Sequence, residues 1–184
     1  MADNRNVPRH IALLRGINLG PNRRVAMTDL RDLLTAAGYG DVQTYLQSGN
    51  VLLSSDSAAK HLGAELAQRL RAGLGFDVAV VVRSREELAD VVARDPFAGI
   101  AGDPRRYQVT FLSAVLDPAR AAELAAVALA PERVIVSGRE IYAWHPSGVG
   151  PSALAKLLSD RRLGVTATAR NWNTVTKLLE LADE

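Results

Sequence analysis

Apolar positions along this chain change their spacing several times, and each change marks an element. His10-Ile11-Ala12-Leu13-Leu14-Arg15 is a short apolar run ended by Gly16, the pattern of a buried strand. Thr28 then suits a helix N-cap, with Leu30, Leu33 and Leu34 on one face and Gly38 as the stop. Val42–Gln47 and Val51–Ser54 are β-prone, and Ser48-Gly49-Asn50 between them reads as a hairpin turn. From Ser57 to Leu74 the spacing of Leu62, Leu66 and Leu70 predicts an amphipathic helix ended by Gly75. Asp77–Arg83 holds an unbroken run from Val78 to Val82, which suits an inner strand. Ser84 with Glu87 three residues on forms a capping box for a short helix, which Asp95-Pro96 ends.

The second half repeats this order. Tyr107–Ala114 reads as a strand, and Asp117-Pro118 opens a helix with Pro at its first position. Arg133–Val136 and Glu140–Trp144 flank a second Ser-Gly turn at Ser137-Gly138. Ser152 caps a helix through Leu158, Val165–Ala169 is a strand, and Asn171 starts a last helix through Leu181. The match extends to letters. Leu46-Gln47-Ser48-Gly49 lines up with Ile135-Val136-Ser137-Gly138, and Val82-Arg83-Ser84 with Ala169-Arg170-Asn171. The expected fold is α+β: two tandem ferredoxin-like β-α-β-β-α-β units, each with an added C-terminal helix, packed as an internal pseudo-dimer. Unit 1 is expected over 8–95 and unit 2 over 105–184, with a short linker at 96–104.

Composition narrows the chemistry. With 184 residues and 48% of them hydrophobic, the chain can bury a core without a metal or a disulfide. No Cys is present, which excludes thiolate sites and Cys nucleophiles. His10, His61 and His145 are far apart in sequence, so neither a metal site nor any cofactor is expected. No apolar run reaches membrane-spanning length, and Met1–Pro8 has no leader-like apolar stretch. The expectation is a cytoplasmic protein that is a monomer or weak homodimer and does not bind membranes. The net charge of +2 carries no basic tail. The cations are nearly all Arg, with Lys only at 60, 156 and 177, and that bias together with abundant Ala fits a GC-rich genome better than a nucleic-acid surface.

Three strings are distinctive: Leu13-Leu14-Arg15-Gly16-Ile17-Asn18-Leu19-Gly20, Thr44-Tyr45-Leu46-Gln47-Ser48-Gly49-Asn50-Val51, and Arg170-Asn171-Trp172-Asn173-Thr174-Val175. With Met27 and Leu30, they resemble the bacterial family catalogued as domain of unknown function 1697. The resemblance implies a ferredoxin-like α+β protein and no established activity. It marks Gln47, Ser48, Gly49, Asn50, Arg170, Asn171 and Trp172 as motif positions. In the Gly148-to-Ser152 stretch the family often places a basic residue directly after the Ser, whereas Ala153 stands there in this chain.

Candidate chemistry is sparse, and no catalytic motif is found. Arg15, Asn18, Arg23 and Arg24 lie in a Gly-rich loop after the first strand, where Arg offers a planar fork for phosphate or carboxylate. Gly148, Gly150 and Ser152 lead into a helix whose first N–H groups could hold an anion. The plainer readings stand beside these: solvated arginines, a hairpin turn at Gln47–Asn50 and an N-cap at Ser152. His145 has no evident acid partner in sequence. Trp172 is expected to be largely buried. Tyr107, Phe111, Tyr142 and Trp144 on the central strands of unit 2 are where a base-stacking surface would lie. Taking the first and third strands of each unit as parallel sets the Arg15 loop at the pole opposite the Ser48-Gly49 hairpin. It also sets Arg83 at the hairpin pole and the Gly148 loop opposite Arg170.

The best reading is a non-enzymatic binder of an anionic partner, either nucleic acid or a phosphorylated small molecule. One alternative is a protein–protein adaptor using a sheet face. The other is an enzyme on a small phosphorylated or carboxylated metabolite, with Arg15 or Arg170 as clamp and His145 as base.

Overall fold

A computed structural model describes residues 7–18, 20–127 and 130–184, and for Asn22 the backbone alone. Leu19 of the first motif string and the N-terminal residues 1–6 lie outside the described residues. The first unit begins with β1 (Arg9–Arg15), a 3-10 turn at Pro21–Arg23 and α1 (Met27–Ala36). It continues with β2 (Gly40–Tyr45), β3 (Asn50–Ser54), α2 (Ala59–Leu74), β4 (Ala79–Ser84) and α3 (Arg85–Arg94). The second unit has β5 (Tyr107–Leu112), α4 (Pro118–Ala126), β6 (Arg133–Ser137) and β7 (Glu140–Trp144). Then come α5 (Ala153–Leu157), α6 (Asp160–Leu163), β8 (Ala167–Asn171) and α7 (Trp172–Ala182). The chain divides into two compact units, one running to Ala89 and resuming at Leu178–Glu184, the other Asp90–Lys177. The division therefore falls inside α3 and inside α7.

Each unit carries one four-stranded sheet, in the order β2-β3-β1-β4 and β6-β7-β5-β8. The two orders are the same, and the registers agree. Ile11 on β1 faces Leu52 and Arg83, and Val109 on β5 faces Tyr142 and Arg170. The protein is thus α+β with two similar ferredoxin-like units. In the first, Leu30 and Leu34 of α1 and Leu62, Leu66 and Leu70 of α2 cover Ala12, Leu14, Val51, Leu53 and Val82. In the second, Leu124, Leu154, Leu158 and Leu163 cover Leu112, Ile141, Ala143 and Ala167. The helical spacing read from the leucines is the spacing that buries them.

Local chemistry explains most element ends. The Ser84–Glu87 capping box forms in both directions, at 2.9 and 3.1 Å. The Asp117 carboxylate accepts from the N–H groups of Ala119 and Arg120 at the start of α4. One expectation shifts. α1 begins at Met27 with Ala26 at its N-cap, so Thr28 lies inside the helix. The helix expected from Ser152 through Leu158 forms as α5, with its C-cap at Leu158, and the short α6 follows it before Gly164.

The expected strand directions are corrected. β1 pairs antiparallel with β3 and with β4, and β5 does the same with β7 and β8. The reason is connectivity. A helical crossover returns the chain so that β2 runs with β1, and the hairpin then sends β3 back against both. The end of β1 therefore lies beside the start of β3, and the Leu14 N–H donates to the Gly49 carbonyl at 2.8 Å. Gly49 is required there. Its φ is +82°, and a Cβ would stand 2.7 Å from Ile17 Cδ1 and 2.8 Å from Leu14 Cβ. Arg83, facing Ile11, lies toward the far end of the sheet from the hairpin turn. In the second unit Trp144 faces Tyr107 and Asn171 faces Gln108, so the loop after β7 and the end of β8 share one pole.

Candidate functional site

The corrected strand directions bring the Arg15 loop and the Gln47–Asn50 turn to the same pole of the first unit. Asn18 makes the junction. It takes a left-handed conformation, φ 55°, and its side chain bonds in three directions. Oδ1 accepts from the Val25 N–H at 2.8 Å, while Nδ2 donates to the Val25 carbonyl at 3.2 Å and to the Gln47 carbonyl at 2.8 Å. Its own N–H donates to the Arg23 carbonyl at 2.6 Å, closing the loop. Asn50 is fully buried at the base of the hairpin, where Nδ2 donates to the Tyr45 carbonyl and to Ser48 Oγ. Both amides are therefore structural parts of the pole.

The arginines divide in role. Arg23 lies 5.5 Å from the centroid of the Phe76 ring, and its Nη1 donates to the Gly16 carbonyl at 3.4 Å. That side chain fastens the loop. Arg15 and Arg24 are exposed, as are Gln47 and Ser48. Beside them Leu46 is 52% exposed and left-handed, φ 59°, a rare conformation for a bulky residue.

The second candidate, Gly148, Gly150 and Ser152, is filled from within. Ser152 Oγ accepts from the Ala155 N–H at 2.8 Å, and Glu132 Oε2 accepts from the Leu154 N–H at 3.2 Å. A carboxylate of the chain itself thus sits where an external anion would sit at the start of α5. Burial on its own raises the Glu132 carboxyl. Hydrogen bonds from Ser152, His145 and the Leu154 N–H outweigh that and hold it below its ordinary value. His145 does have an acid partner: its Nδ1 lies 3.2 Å from Glu132 Oε1 and 2.8 Å from Ser152 Oγ. Hairpin register is the signal that could have found it, because Arg133 faces Trp144 and so the residues flanking that pair meet. The arrangement is not that of a nucleophile and its base. Serine and carboxylate share one ring nitrogen, and Nε2 is buried with no partner among the described residues.

Arg170 is buried, and its Nη1 donates to Thr168 Oγ1 at 2.7 Å and to the Ala169 carbonyl at 2.8 Å. Desolvation lowers it to about 10. Buried in this way, it cannot serve as the clamp for an external metabolite. Asn171 caps α7 through the Thr174 N–H at 2.9 Å. Trp172 is half-buried, less than expected, and stacks on Tyr107 at 4.6 Å between ring centroids and 12° between planes. Tyr107 also meets the edge of Phe97 and donates to Asp95 at 3.0 Å. Tyr107, Phe111 and Tyr142 are buried and Trp144 is half-buried, so the four aromatics do not lie open together as in the sheets of RNA-binding proteins.

Among the described residues no group of three or more His, Cys, Asp or Glu could hold a metal ion, and no helix is long and apolar enough to cross a membrane. The comparison with curated proteins found no match. Among solved structures, the conserved bacterial protein SP0830 from Streptococcus pneumoniae is similar over 97% of this chain and 99% of its own, with 25% identity and a TM-score of 0.78. The family described as protein of unknown function (DUF1697) matches residues 7–142. That span holds the Arg15 loop and the Gln47–Asn50 turn and leaves Arg170, Asn171 and Trp172 beyond it. The Arg15 loop and the hairpin turn stapled to it by Asn18 lie wholly within the matched residues, and on that match the chain belongs to the DUF1697 family of proteins of unknown function.

Proposed function

We propose that this protein is a non-enzymatic binder of an anionic partner, nucleic acid or a phosphorylated small molecule, and that it binds through the Arg15 pole of its first unit. The observation that carries the reading is the 2.8 Å bond from Asn18 Nδ2 to the Gln47 carbonyl. It joins two loops distant in sequence into one surface that presents Arg15, Arg24, Gln47 and Ser48 to solvent. Guanidinium and amide donors of this kind suit phosphate or carboxylate oxygens. Backbone strain adds support: Asn18 and Leu46, both left-handed, stand at this pole, and such residues concentrate at functional sites.

The alternatives draw less support. An adaptor built on a sheet face would need exposed central strands, and β1, β3, β5 and β7 are buried along nearly their whole length. An enzyme with His145 as its base would need that ring to be accessible, and the Nε2 of His145 is buried. The test is binding to heparin, a single-stranded oligonucleotide and a panel of phosphorylated metabolites. The paired change Arg15→Gln with Arg24→Gln, and Arg24→Ala alone, serve as variants. The paired change is expected to weaken binding by about tenfold or more with the fold preserved by circular dichroism. Equal affinity in wild type and variants would remove this pole from the account.

A further inference from the structure

At the end of the first unit's sheet away from the Arg15 loop, a pocket of about 450 Å³ opens between the start of β2, the β3–α2 connection and α2. That volume is within the range of small-molecule sites. Three features set it apart from an ordinary surface hollow.

The first is its charges. Glu65 and Arg69 both line it, one turn apart on α2 with the acid N-terminal, the spacing and order that favour an ion pair. Among the described residues they do not pair with each other. The Glu65 carboxylate instead accepts from Ser57 Oγ, 3.2 and 3.0 Å from its two oxygens. Arg69 stands beside the Tyr39 phenol, whose titration burial pushes up. A carboxylate steadied by a hydroxyl and a guanidinium therefore line the same space. Asp56 on the rim adds a second carboxylate.

The second feature is the strand that borders it. The β2–β3 register shifts between Gly40 and Gln43, where Asp41 is left-handed at φ 46°. Bulges re-aim chains beside functional sites. Here the shift falls next to Gly40, whose backbone lines the pocket, and Asp41 Oδ2 accepts from Ser54 Oγ at 2.9 Å. The third feature is His10, 3% exposed. One ring nitrogen, Nε2, lies 3.1 Å from the carbonyl of Ser55, a lining residue, while Nδ1 is buried without a partner among the described residues. A buried histidine half-satisfied against a pocket wall calls for an explanation.

We propose that this pocket binds a small zwitterion, a molecule of the α-amino-acid class bearing one ammonium and one carboxylate. Glu65 and Asp56 receive the ammonium. Arg69 receives the carboxylate, and the Tyr39 hydroxyl donates its proton to the same group. The site is separate from the Arg15 pole, and neither reading depends on the other.

The test is calorimetric titration of the full chain with each of the twenty amino acids. Each binder's decarboxylated amine and its deaminated acid serve as controls. At least one amino acid should bind with a dissociation constant below about 1 mM, and loss of either charged group should weaken it by about tenfold or more. Glu65→Gln and Arg69→Gln should each do the same, with unfolding by urea unchanged. The paired Arg15 and Arg24 variant should bind the amino acid as wild type does. Three results would overturn the proposal: no heat with any amino acid, binding that survives both pocket variants, or amine or acid controls binding as tightly as the parent.

Discussion

Leu46 holds a conformation that costs free energy and a position that returns little. Its φ of 59° belongs to the region glycine favours, and its side chain is 52% exposed. A non-glycine residue there costs ~1–3 kcal/mol, while glycine carries a larger entropy loss on folding of ~0.4–1 kcal/mol. Leu46→Gly should therefore raise stability by about 0.5–1 kcal/mol in urea unfolding. A loss of stability would mean that the side chain packs more than its exposure shows. Glu132 makes the opposite case, a residue whose charge holds an element in place. Its folded carboxyl titrates below the ordinary value of 4.5. The stabilisation is therefore complete above that value and is lost as pH falls through the lower, folded one. Glu132→Gln should cost about 1–3 kcal/mol at neutral pH, and the difference from wild type should shrink as the pH is taken below 4.5. Stability curves that stay parallel down to acid would show that the charge has no such role.

At the scale of elements, what was local in sequence could be read from sequence. The α2 leucines, the Ser84–Glu87 box and the Asp117 cap lie within a few residues of what they act on, and each forms as its spacing predicts. What was not legible lay across a hairpin or a crossover. Glu132 and His145 are separated by the β6–β7 hairpin, and nothing local to either residue names the other. The bulge at Asp41, which borders the pocket, replaces a turn signal by strain that only the pairing partner reveals. Trp172 departs from the expected burial for a related reason. Its neighbours Val175 and Leu178 are buried, but the indole packs by stacking on Tyr107 and keeps part of its surface in solvent. Trp172→Ala should cost about 2 kcal/mol, less than a fully buried Trp. A double-mutant cycle with Tyr107→Ala should return a coupling of about 0.5–1.5 kcal/mol. A coupling near zero would reduce the stack to mere adjacency.

For the molecule as a whole, repetition was the most legible property and strand direction the least. The two Ser-Gly hairpins and the Arg83–Arg170 correspondence predict one unit used twice, and both sheets adopt the same order with matching registers. Direction is set by the crossover helix and leaves no mark in any single strand. That direction decides the candidate site, because it places the hairpin turn against the Arg15 loop instead of at the far pole. Anion binding is the role proposed for this joined pole. A net charge of +2 is too small to draw a polyanion from a distance, so affinity has to come from local contacts. The most direct measurement is the slope of log K against log salt for a single-stranded oligonucleotide, for wild type and for the Arg15→Gln, Arg24→Gln pair. Each phosphate contact contributes about −0.7 on single strands, so the paired change should make the slope shallower by about 1.4. A slope unchanged by the pair, or a wild type that binds no polyanion at about 50 mM salt, would contradict the account.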